Sequence, residues 1–298
     1  MKSFAVSVPA TSANLGPGFD AVGAALSLRL RASVKASRRF EIGFADGAER
    51  PSHGGFADAI RRAMQRIERK LPNVAVHVEN GIPLGKGLGS SAAASVLGLA
   101  IAARAHGYAL GRGEIARLAC ELEGHHDNAL AAVLGGVVIA ARSDAQAYVR
   151  LAGAPDLRAL IIVPDVALDT ASSRALLPER YDRADVVFTA QRAALLGAAL
   201  ASGAWREMSA AMSDRVHQPY RAAHIPGMAA ALDVRERGLI GCALSGAGPS
   251  LIALLPPRGA WQRLAKRFAE CFARAGVNTR ALLLGFSAHG LRVVASRG

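Results

Sequence analysis

The segment Pro83–Ala93, with the sequence PLGKGLGSSAA, carries the residues best suited to binding an anion. Its three glycines stand at alternate positions, where they can adopt positive φ angles and leave room for a ligand beside the backbone. Backbone N–H groups of such a loop point into one concavity, and a following helix adds the positive end of its dipole. Ser90 or Ser91 can cap that helix and can also offer a hydroxyl to a phosphate or to Mg²⁺. The segment therefore predicts a phosphate-binding loop.

The spacing within this loop excludes the two commonest nucleotide-binding fingerprints. Lys86 is followed by Gly87 rather than by Ser or Thr, so the loop is not a Walker A motif. A Rossmann fingerprint would need a glycine where Ser90 stands. Glycine patterns also match by chance, so a flexible turn capped by serine is an equal alternative on this pattern alone.

Two further segments concentrate turn-forming and polar residues. Pro9–Asp20, with the sequence PATSANLGPGFD, surrounds Asn14 and Asp20 with Gly, Pro and Ser. Leu244–Ser250, with the sequence LSGAGPS, is a second glycine loop between two apolar runs. Each segment taken alone is equally well explained as a tight connection between strands.

Periodic apolar residues predict the elements that position these segments. Alternation predicts strands over Phe4–Val8, Leu26–Ala36, Arg39–Phe44, Val74–Val78, Val137–Ala141, Leu160–Val163, Leu239–Ser245, Ser250–Leu255, Arg280–Phe286 and Leu291–Ala295. Helical spacing predicts helices over Phe56–Leu71, Ser91–Ala105, Arg112–Glu123 and Ala260–Ala275, and a helix-rich stretch over Ala184–Arg237. The composition of Pro9–Gly18 predicts a loop without regular structure. The irregular mixture of strands and helices indicates an α+β protein with a boundary around Gly153–Pro164.

The composition indicates a globular protein. The chain has 298 residues, of which 51% are hydrophobic and 20% charged, which suits one large domain or two of moderate size. The three cysteines are scattered without the spacing of metal ligands, which favours a reducing, cytoplasmic setting. The apolar run near the N-terminus is too short for a signal peptide. The longest apolar stretch, Ala92–Ala103, is too short to cross a bilayer. We therefore expect a soluble protein without a membrane partner.

The net charge of +13 has two interpretations. It can attract nucleic acid or an acidic substrate, or it can reflect a basic residue usage spread over the whole chain. Basic residues occur throughout without forming a tract, and aromatic residues make up only 5% of the chain. A nucleic-acid-binding module would cluster both kinds of residue, so we expect no nucleic-acid partner.

The three loop segments together closely resemble, in the same order, the signature motifs of the GHMP kinase family. Within that family, four segments most resemble the branch that acts on an amino acid. They are Pro9–Asp20, Glu121–Asn128, Ser173–Pro178 and His217–Arg221. Proline is usual where His126 stands. The resemblance implies ATP-dependent phosphorylation of the homoserine hydroxyl in threonine biosynthesis, with mevalonate-pathway and sugar kinases as the alternatives. It is also compatible with a homodimer.

The resemblance further implies the architecture of the chain. GHMP kinases are two-domain α+β proteins, with an N-terminal domain like domain 2 of ribosomal protein S5 and a ferredoxin-like C-terminal domain. We therefore expect an ATP-binding domain over residues 1–155 and a second domain over residues 156–298.

Phosphoryl transfer requires a cradle for the triphosphate and a divalent ion on its oxygens. By the resemblance, the cradle is formed by Pro83, Leu84, Gly85, Lys86, Gly87, Leu88, Gly89, Ser90, Ser91, Ala92 and Ala93. The resemblance also implies that Ser91 and Glu123 hold Mg²⁺, for which hard oxygen ligands are suitable.

An amino-acid acceptor requires an anionic partner for its ammonium and cationic partners for its carboxylate. Asp20 suits the first role, while Arg174 and Arg221 suit the second through their bidentate geometry. A sugar or mevalonate would leave Asp20 without a cation.

Three polar residues complete the set expected around the acceptor. By the resemblance, Asn14, His125 and Asn128 hydrogen-bond the acceptor and orient its hydroxyl. Several GHMP kinases place an aspartate base where Asn128 stands, and an amide cannot take a proton. We therefore expect catalysis by positioning and electrostatics, with His125 and Asp127 as competing candidates for a base.

Overall fold

The structure is a computed structural model that describes residues 1–45, 55–141, 147–151, 155–166 and 170–295. The strands in this part are β1 Phe4–Asn14, β2 Gly18–Ala36, β3 Glu41–Phe44, β4 Val74–Asn80, β5 Val137–Ala140, β6 Tyr148–Arg150, β7 Arg158–Pro164, β8 Gly241–Leu244, β9 Leu251–Leu255, β10 Thr279–Gly285 and β11 Arg292–Ala295. The helices are α1 Gly55–Ile67, α2 Ser90–His106, α3 Arg112–Glu123, α4 Asp127–Leu134, α5 Thr170–Ala175, α6 Arg183–Ser202, α7 Met208–Ala211, α8 Gln218–Ala222, α9 Met228–Leu232 and α10 Trp261–Ala273. A 3₁₀ turn covers Trp205–Glu207. These elements confirm the α+β prediction.

The first sheet has the strand order β11-β1-β2-β4-β3, and β5 and β6 extend from β2. The predicted irregular loop over Pro9–Gly18 is wrong, because β1 continues through this segment to Asn14. The strand remains paired with β2 through two register shifts, one between Pro9 and Thr11 and one between Ala13 and Asn14. Bulges of this kind accommodate proline and redirect side chains, so long-range pairing overrides the local turn preference.

Helices α2 and α4 pack on this sheet, and α1 and α3 pack on α2. Helix α2 is rich in alanine and is buried on nearly all sides. Its Gly98 lies against α1 so closely that a Cβ there would stand 2.4 Å from the carbonyl oxygen of Ile60. The small side chains of α2 therefore let α1 pack closely against it. Helix α4 is short and apolar nearly all round, so it lacks the amphipathic period by which a helix is recognised in sequence.

The second sheet is antiparallel with the order β10-β7-β9-β8. Alternate residues of β7 enter two different cores, as the two-residue period of a strand requires. Ile161 belongs to the large core shared with the first sheet, whereas Leu160 and Ile162 pack with α9 and α10. The sheet thus has protein on both faces, and its β8–β9 turn carries the second glycine loop towards the first sheet.

The predicted domain division at residues 155/156 stays a prediction. One strand of the predicted second domain, however, belongs to the sheet of the first. Strand β11, which lies in the predicted second domain, pairs antiparallel with β1, so Phe4 stands opposite Ala295. The C-terminal strand therefore returns to the N-terminal sheet.

Helix α6 is the one described helix that is long and apolar enough, by length and composition, to cross a membrane. Core helices of globular proteins pass the same test, so the finding is weak evidence for a span. Asp185 on this helix pairs with Arg215 at 3.1 Å. The expectation of a soluble protein stays a prediction.

Candidate active site

The glycine loop adopts the conformation that its sequence allows. Gly85, Gly87 and Gly89 all have positive φ angles, between 64° and 74°. Gly89 is the N-cap residue of α2, and no side-chain hydrogen bond closes this helix end. The expectation that Ser90 or Ser91 caps α2 is therefore wrong, and the first-turn N–H groups remain directed at the loop's concavity.

The loop is fixed by contacts with both sheets. A Cβ at Gly89 would lie 1.9 Å from Thr11 Oγ1, and one at Gly87 would lie 2.1 Å from the carbonyl oxygen of Ser245. Ser245 Oγ donates a 2.7 Å hydrogen bond to the carbonyl oxygen of Gly87. Lys86 Nζ donates to the carbonyl oxygens of Pro164 and Val166 at 3.1 and 2.7 Å. In this structure the Lys86 ammonium thus ties the loop to the end of β7.

A cavity of about 510 Å³ lies against this loop and is large enough for a nucleotide. Its described lining consists of Gly85, Gly87, Gly89, Ser90, Ser91, Ala92, Leu122, Glu123, His125, Asn128, Arg174, Gly246 and Ala247. Six of the eleven predicted cradle residues line it, whereas Pro83, Leu84, Lys86, Leu88 and Ala93 do not. Leu88 and Ala93 are buried in the core instead. The roles of all eleven stay predictions.

The two residues predicted to hold Mg²⁺ lie together at one edge of this cavity. Ser91 Oγ, at the start of α2, donates to Glu123 Oε1 at the end of α3 over 3.2 Å. Ser95 Oγ donates to the same carboxylate oxygen over 2.6 Å. Within the described residues, no group of three or more His, Cys, Asp and Glu side chains forms a metal cage. One carboxylate and one hydroxyl suit Mg²⁺, which usually takes its remaining ligands from phosphates and water.

The six residues predicted to bind the acceptor all line a second, smaller cavity of about 30 Å³. They are Asn14, Asp20, His125, Asn128, Arg174 and Arg221. The two cavities share His125, Asn128, Arg174, Gly246 and Ala247, so they are neighbouring parts of one site.

The turn between β1 and β2 is held in an unusual backbone conformation. Asn14, Leu15 and Asp20 have positive φ angles of 70°, 47° and 57°. Asn14 Oδ1 accepts from the backbone N–H of Asp20 at 3.0 Å, and Asn14 Nδ2 donates to the carbonyl oxygen of Gly246 at 2.9 Å. Left-handed conformations are tolerated by Asn and Asp but unfavourable for Leu, so the surrounding contacts must impose this turn. The Asn14 amide thus links the Asp20 turn to the second glycine loop.

The anionic and cationic residues expected to bind an amino acid face one another. Arg174 Nη2 donates to Asp20 Oδ1 at 2.7 Å, and this hydrogen bond raises the pKa of Arg174. Arg221 is only 2% exposed, and its Nε donates to the carbonyl oxygen of Ser173 at 3.4 Å. Burial lowers the pKa of Arg221, and the neighbouring Arg174 lowers it further, yet a guanidinium stays charged at neutral pH.

A chain of hydrogen bonds fixes the polar side of the small cavity. Asp127 Oδ1 accepts from His125 Nδ1 at 2.8 Å and from the backbone N–H of Asn128 at 2.6 Å. Because a carboxylate only accepts, Nδ1 carries a hydrogen, and in the neutral His125 ring Nε2 then has the lone pair. The hydrogen bond to Asp127 raises the pKa of His125 against the opposing effect of burial. Thr11 Oγ1 donates to Asn128 Oδ1 at 2.7 Å.

Sequence reasoning missed three residues that organise this site. Thr11 orients Asn128, and the Phe19 ring contacts Arg221 and Arg174, whose guanidinium carbons lie 5.0 and 5.5 Å from its centre. His217 lies behind Phe19, stacked on its ring at 4.9 Å. All three belong to the polar motifs already noted, but their partners are distant in sequence, so no local signal could assign their contacts.

The fold agrees with comparisons with known proteins. Residues 56–136 match the GHMP kinases N terminal domain, and residues 196–274 match the GHMP kinases C terminal domain. The chain belongs to the GHMP kinase family, and the prediction of the family and of its two-domain fold is confirmed.

Within the family, several relatives that are 37–44% identical to this chain are homoserine kinases. The homoserine kinase of Desulfitobacterium hafniense is 37% identical over 97% of this chain and 99% of the relative. That of Solibacter usitatus is 44% identical over 84% of each chain. The crystal structure of homoserine kinase from Cytophaga hutchinsonii superimposes with a TM-score of 0.84 at 26% identity, covering 99% of this chain and 98% of the other. A mevalonate kinase structure is 14% identical with a TM-score of 0.69 and shares the fold alone.

Proposed function

We propose that this protein transfers the γ-phosphoryl group of ATP to the side-chain hydroxyl of L-homoserine and so forms O-phospho-L-homoserine in threonine biosynthesis. The names of the relatives support this proposal. The observation that carries it is the charge pattern of the small cavity, where Asp20 stands opposite Arg174 and Arg221. A free amino acid presents the complementary pair of charges, whereas mevalonate lacks the ammonium and galactose lacks both charges.

ATP would place its phosphates against the glycine loop at the start of α2. The positive φ angles of Gly85, Gly87 and Gly89 and the uncapped N–H groups of α2 support this placement. Ser91 and Glu123 would hold Mg²⁺, which would neutralise charge on the phosphate oxygens.

Acceptor binding requires a rearrangement of the Asp20–Arg174 ion pair. The small cavity of about 30 Å³ has room for about one water molecule and not for an amino acid. Arg174 is 38% exposed, so its side chain has space to move. We expect the acceptor ammonium to replace Arg174 at Asp20 while Arg174 and Arg221 take the carboxylate. The ligand then replaces the one ion pair between Asp20 and Arg174 with three, one at Asp20 and one at each of the two arginines.

The acceptor hydroxyl would meet Asn128 and His125 where the two cavities join. Asn128 is an amide and cannot take a proton. Catalysis would therefore rely on holding the hydroxyl in line with the γ-phosphate, with the proton lost late in a loose transition state. His125 and Asp127, which both line the small cavity, stay the two candidates for a base.

A substrate panel tests the proposed function directly. ATP consumption is measured with L-homoserine, mevalonate and galactose under the same conditions. The proposal predicts turnover with L-homoserine far above that with the other two. Turnover of mevalonate or galactose without phosphorylation of homoserine would assign the chain to another branch of the family.

The proposal extends to a cytoplasmic enzyme without a nucleic-acid partner. Two arginines of α1 support the absence of a nucleic-acid partner, because Arg61 pairs with Asp58 at 2.7 Å and Arg66 pairs with Glu121 at 2.8 Å. Ion pairs of this kind reduce the field available to a polyanion. A gel-shift assay should detect no binding at physiological salt, and salt-resistant binding would contradict this part of the proposal.

A further inference from the structure

His217 lies directly behind the small cavity without being among its described lining residues. Its side chain is fully buried, and both ring nitrogens have partners. Nε2 lies 2.7 Å from the carbonyl oxygen of Gly16, and Nδ1 lies 3.2 Å from Arg221 Nη1. A carbonyl oxygen only accepts and a guanidinium only donates, so the contacts require a hydrogen on Nε2 and a lone pair on Nδ1. The partners thus fix one neutral tautomer.

Asp214 holds the segment that carries His217. Its carboxylate accepts from the backbone N–H groups of Val216, His217 and Gln218 at 3.0, 2.8 and 2.7 Å. These bonds satisfy donors at the start of α8, as a capping residue does. Burial lowers the pKa of His217, although the nearby Asp214 opposes this effect. The backbone position of His217 is therefore fixed by the turn before α8.

His217 also connects α8 with the turn between β1 and β2. Its ring stacks on Phe19 with a centre-to-centre distance of 4.9 Å and an interplanar angle of 21°. A Cβ at Gly16 would lie 2.2 Å from the carbonyl oxygen of Met212, so this turn packs directly on the backbone before α8. Phe19 immediately precedes Asp20, so a shift of this ring would also displace the Asp20 carboxylate.

We propose that His217 is a positioning residue that fixes Arg221 relative to the segment Gly16–Asp20. It thereby sets the distance between the groups that bind the acceptor's carboxylate and ammonium. His217 acts through these groups and does not touch the acceptor. The inference rests on the proposed function, because it assumes that the small cavity binds an amino acid.

Two isosteric replacements separate the two contacts of the ring. His217→Asn keeps an acceptor near the position of Nδ1 and loses the donor to Gly16. His217→Gln keeps a donor near the position of Nε2 and loses the acceptor for Arg221. We expect His217→Gln to raise KM for L-homoserine by about tenfold or more, because a buried guanidinium loses a hydrogen-bond partner. We expect a smaller rise for His217→Asn and less than a twofold change of KM for ATP in both variants.

The same two substitutions at His224, an exposed histidine just after α8, are the matched control and should leave both constants unchanged. Melting temperatures of all variants are recorded, and kinetics are measured at least about ten degrees below the lowest. A fall in melting temperature with unchanged KM for L-homoserine would show a purely structural role and overturn the inference. An equal rise in both KM values would overturn it as well.

A double-mutant cycle with Arg221→Lys tests whether His217 acts through Arg221. If it does, His217→Gln should add less than about a twofold rise in KM for L-homoserine when Arg221 is already replaced. Independent, multiplying effects would contradict the inference. Failure of the wild-type protein to phosphorylate L-homoserine would instead refute the proposed function, so the two failures are distinguishable.

Discussion

The hydroxyl of Thr11 donates a 2.7 Å hydrogen bond to the side-chain oxygen of Asn128, across 117 positions of sequence. Asn128 Nδ2 lies 3.3 Å from Asp127 Oδ1, so both ends of the amide have partners and only one amide orientation satisfies them. Thr11 also lies against Gly89, where a Cβ would stand 1.9 Å from its Oγ1. One threonine therefore contacts both the phosphate loop and the residue expected to orient the acceptor hydroxyl.

Removal of the Thr11 hydroxyl should impair catalysis more than nucleotide binding. Thr11→Val keeps the shape of the buried side chain but leaves Asn128 Oδ1 without its donor. We expect kcat to fall about tenfold, because Asn128 becomes free to turn. Steady-state kinetics measure the effect, and Thr11→Ser, which keeps the hydroxyl, is the control. Equal loss in both variants would show that the methyl group, and not the hydrogen bond, matters.

Neutralisation of Asp20 should weaken acceptor binding selectively. Asp20→Asn removes both the carboxylate expected to bind the ammonium and the partner of Arg174. KM for L-homoserine should rise by about ten- to a hundredfold, since hydrogen bonds between charged groups are lost, while KM for ATP stays within a factor of about two. Asp58→Asn, which breaks an ion pair of similar length with Arg61, is the matched control. A parallel rise in KM for ATP would contradict the assignment of Asp20 to the acceptor.

Glu123 should determine the requirement for the divalent ion. Glu123→Gln keeps an oxygen for the hydroxyls of Ser91 and Ser95 but removes the negative charge. We expect the Mg²⁺ concentration that gives half-maximal activity to rise about tenfold or more. The control is Glu121→Gln, two residues away, whose carboxylate pairs with Arg66 and Arg117. An unchanged Mg²⁺ titration would show that Glu123 is not a ligand.

The protonation of His125 should depend on Asp127. The hydrogen bond to Asp127 raises the pKa of His125 above its usual 6.5. Because the pKa is raised, the His125–Asp127 pair contributes its full stabilisation of the fold below pH 6.5. This stabilisation is lost as the pH rises through the pKa of His125 in the folded protein. In Asp127→Asn, the NMR-measured pKa of His125 should fall. An unchanged value would show that another group controls this histidine.

The two glycines that flank α2 provide a test of the phosphate loop. Gly89 before the helix and Gly107 after it both have left-handed φ angles, of 67° and 82°. Alanine at either position should cost about 1–2 kcal/mol of backbone strain. Only at Gly89 would the new Cβ also meet Thr11, whereas Gly107 has no neighbour within 4 Å among the described residues. Gly89→Ala should therefore lower activity strongly and Gly107→Ala should not, and equal activities would contradict the loop assignment.

The sequence allows the strongly periodic elements and the polar motifs to be predicted, but not the pairings between them. Helix α3 has the predicted bounds, whereas the end of β1 was expected to be a loop because its turn-forming residues conceal a pairing with β2. Residues such as Gly85 and Asp20 could be identified as site candidates from their residue types and the motifs around them. The link from His217 to Gly16 spans 201 positions and follows only from the folded backbone. Composition thus marks the groups that can do chemistry, while tertiary packing decides how they are held.

The comparison of L-homoserine with 4-hydroxybutanoate tests the central claim most directly. The two molecules share the hydroxyl and the carboxylate, and only L-homoserine carries the ammonium assigned to Asp20. With ATP in excess, kcat/KM for L-homoserine should exceed that for 4-hydroxybutanoate by about a hundredfold or more, because Asp20 would have no cation once Arg174 binds the carboxylate of 4-hydroxybutanoate. Equal values, or no phosphorylation of L-homoserine, would contradict the account.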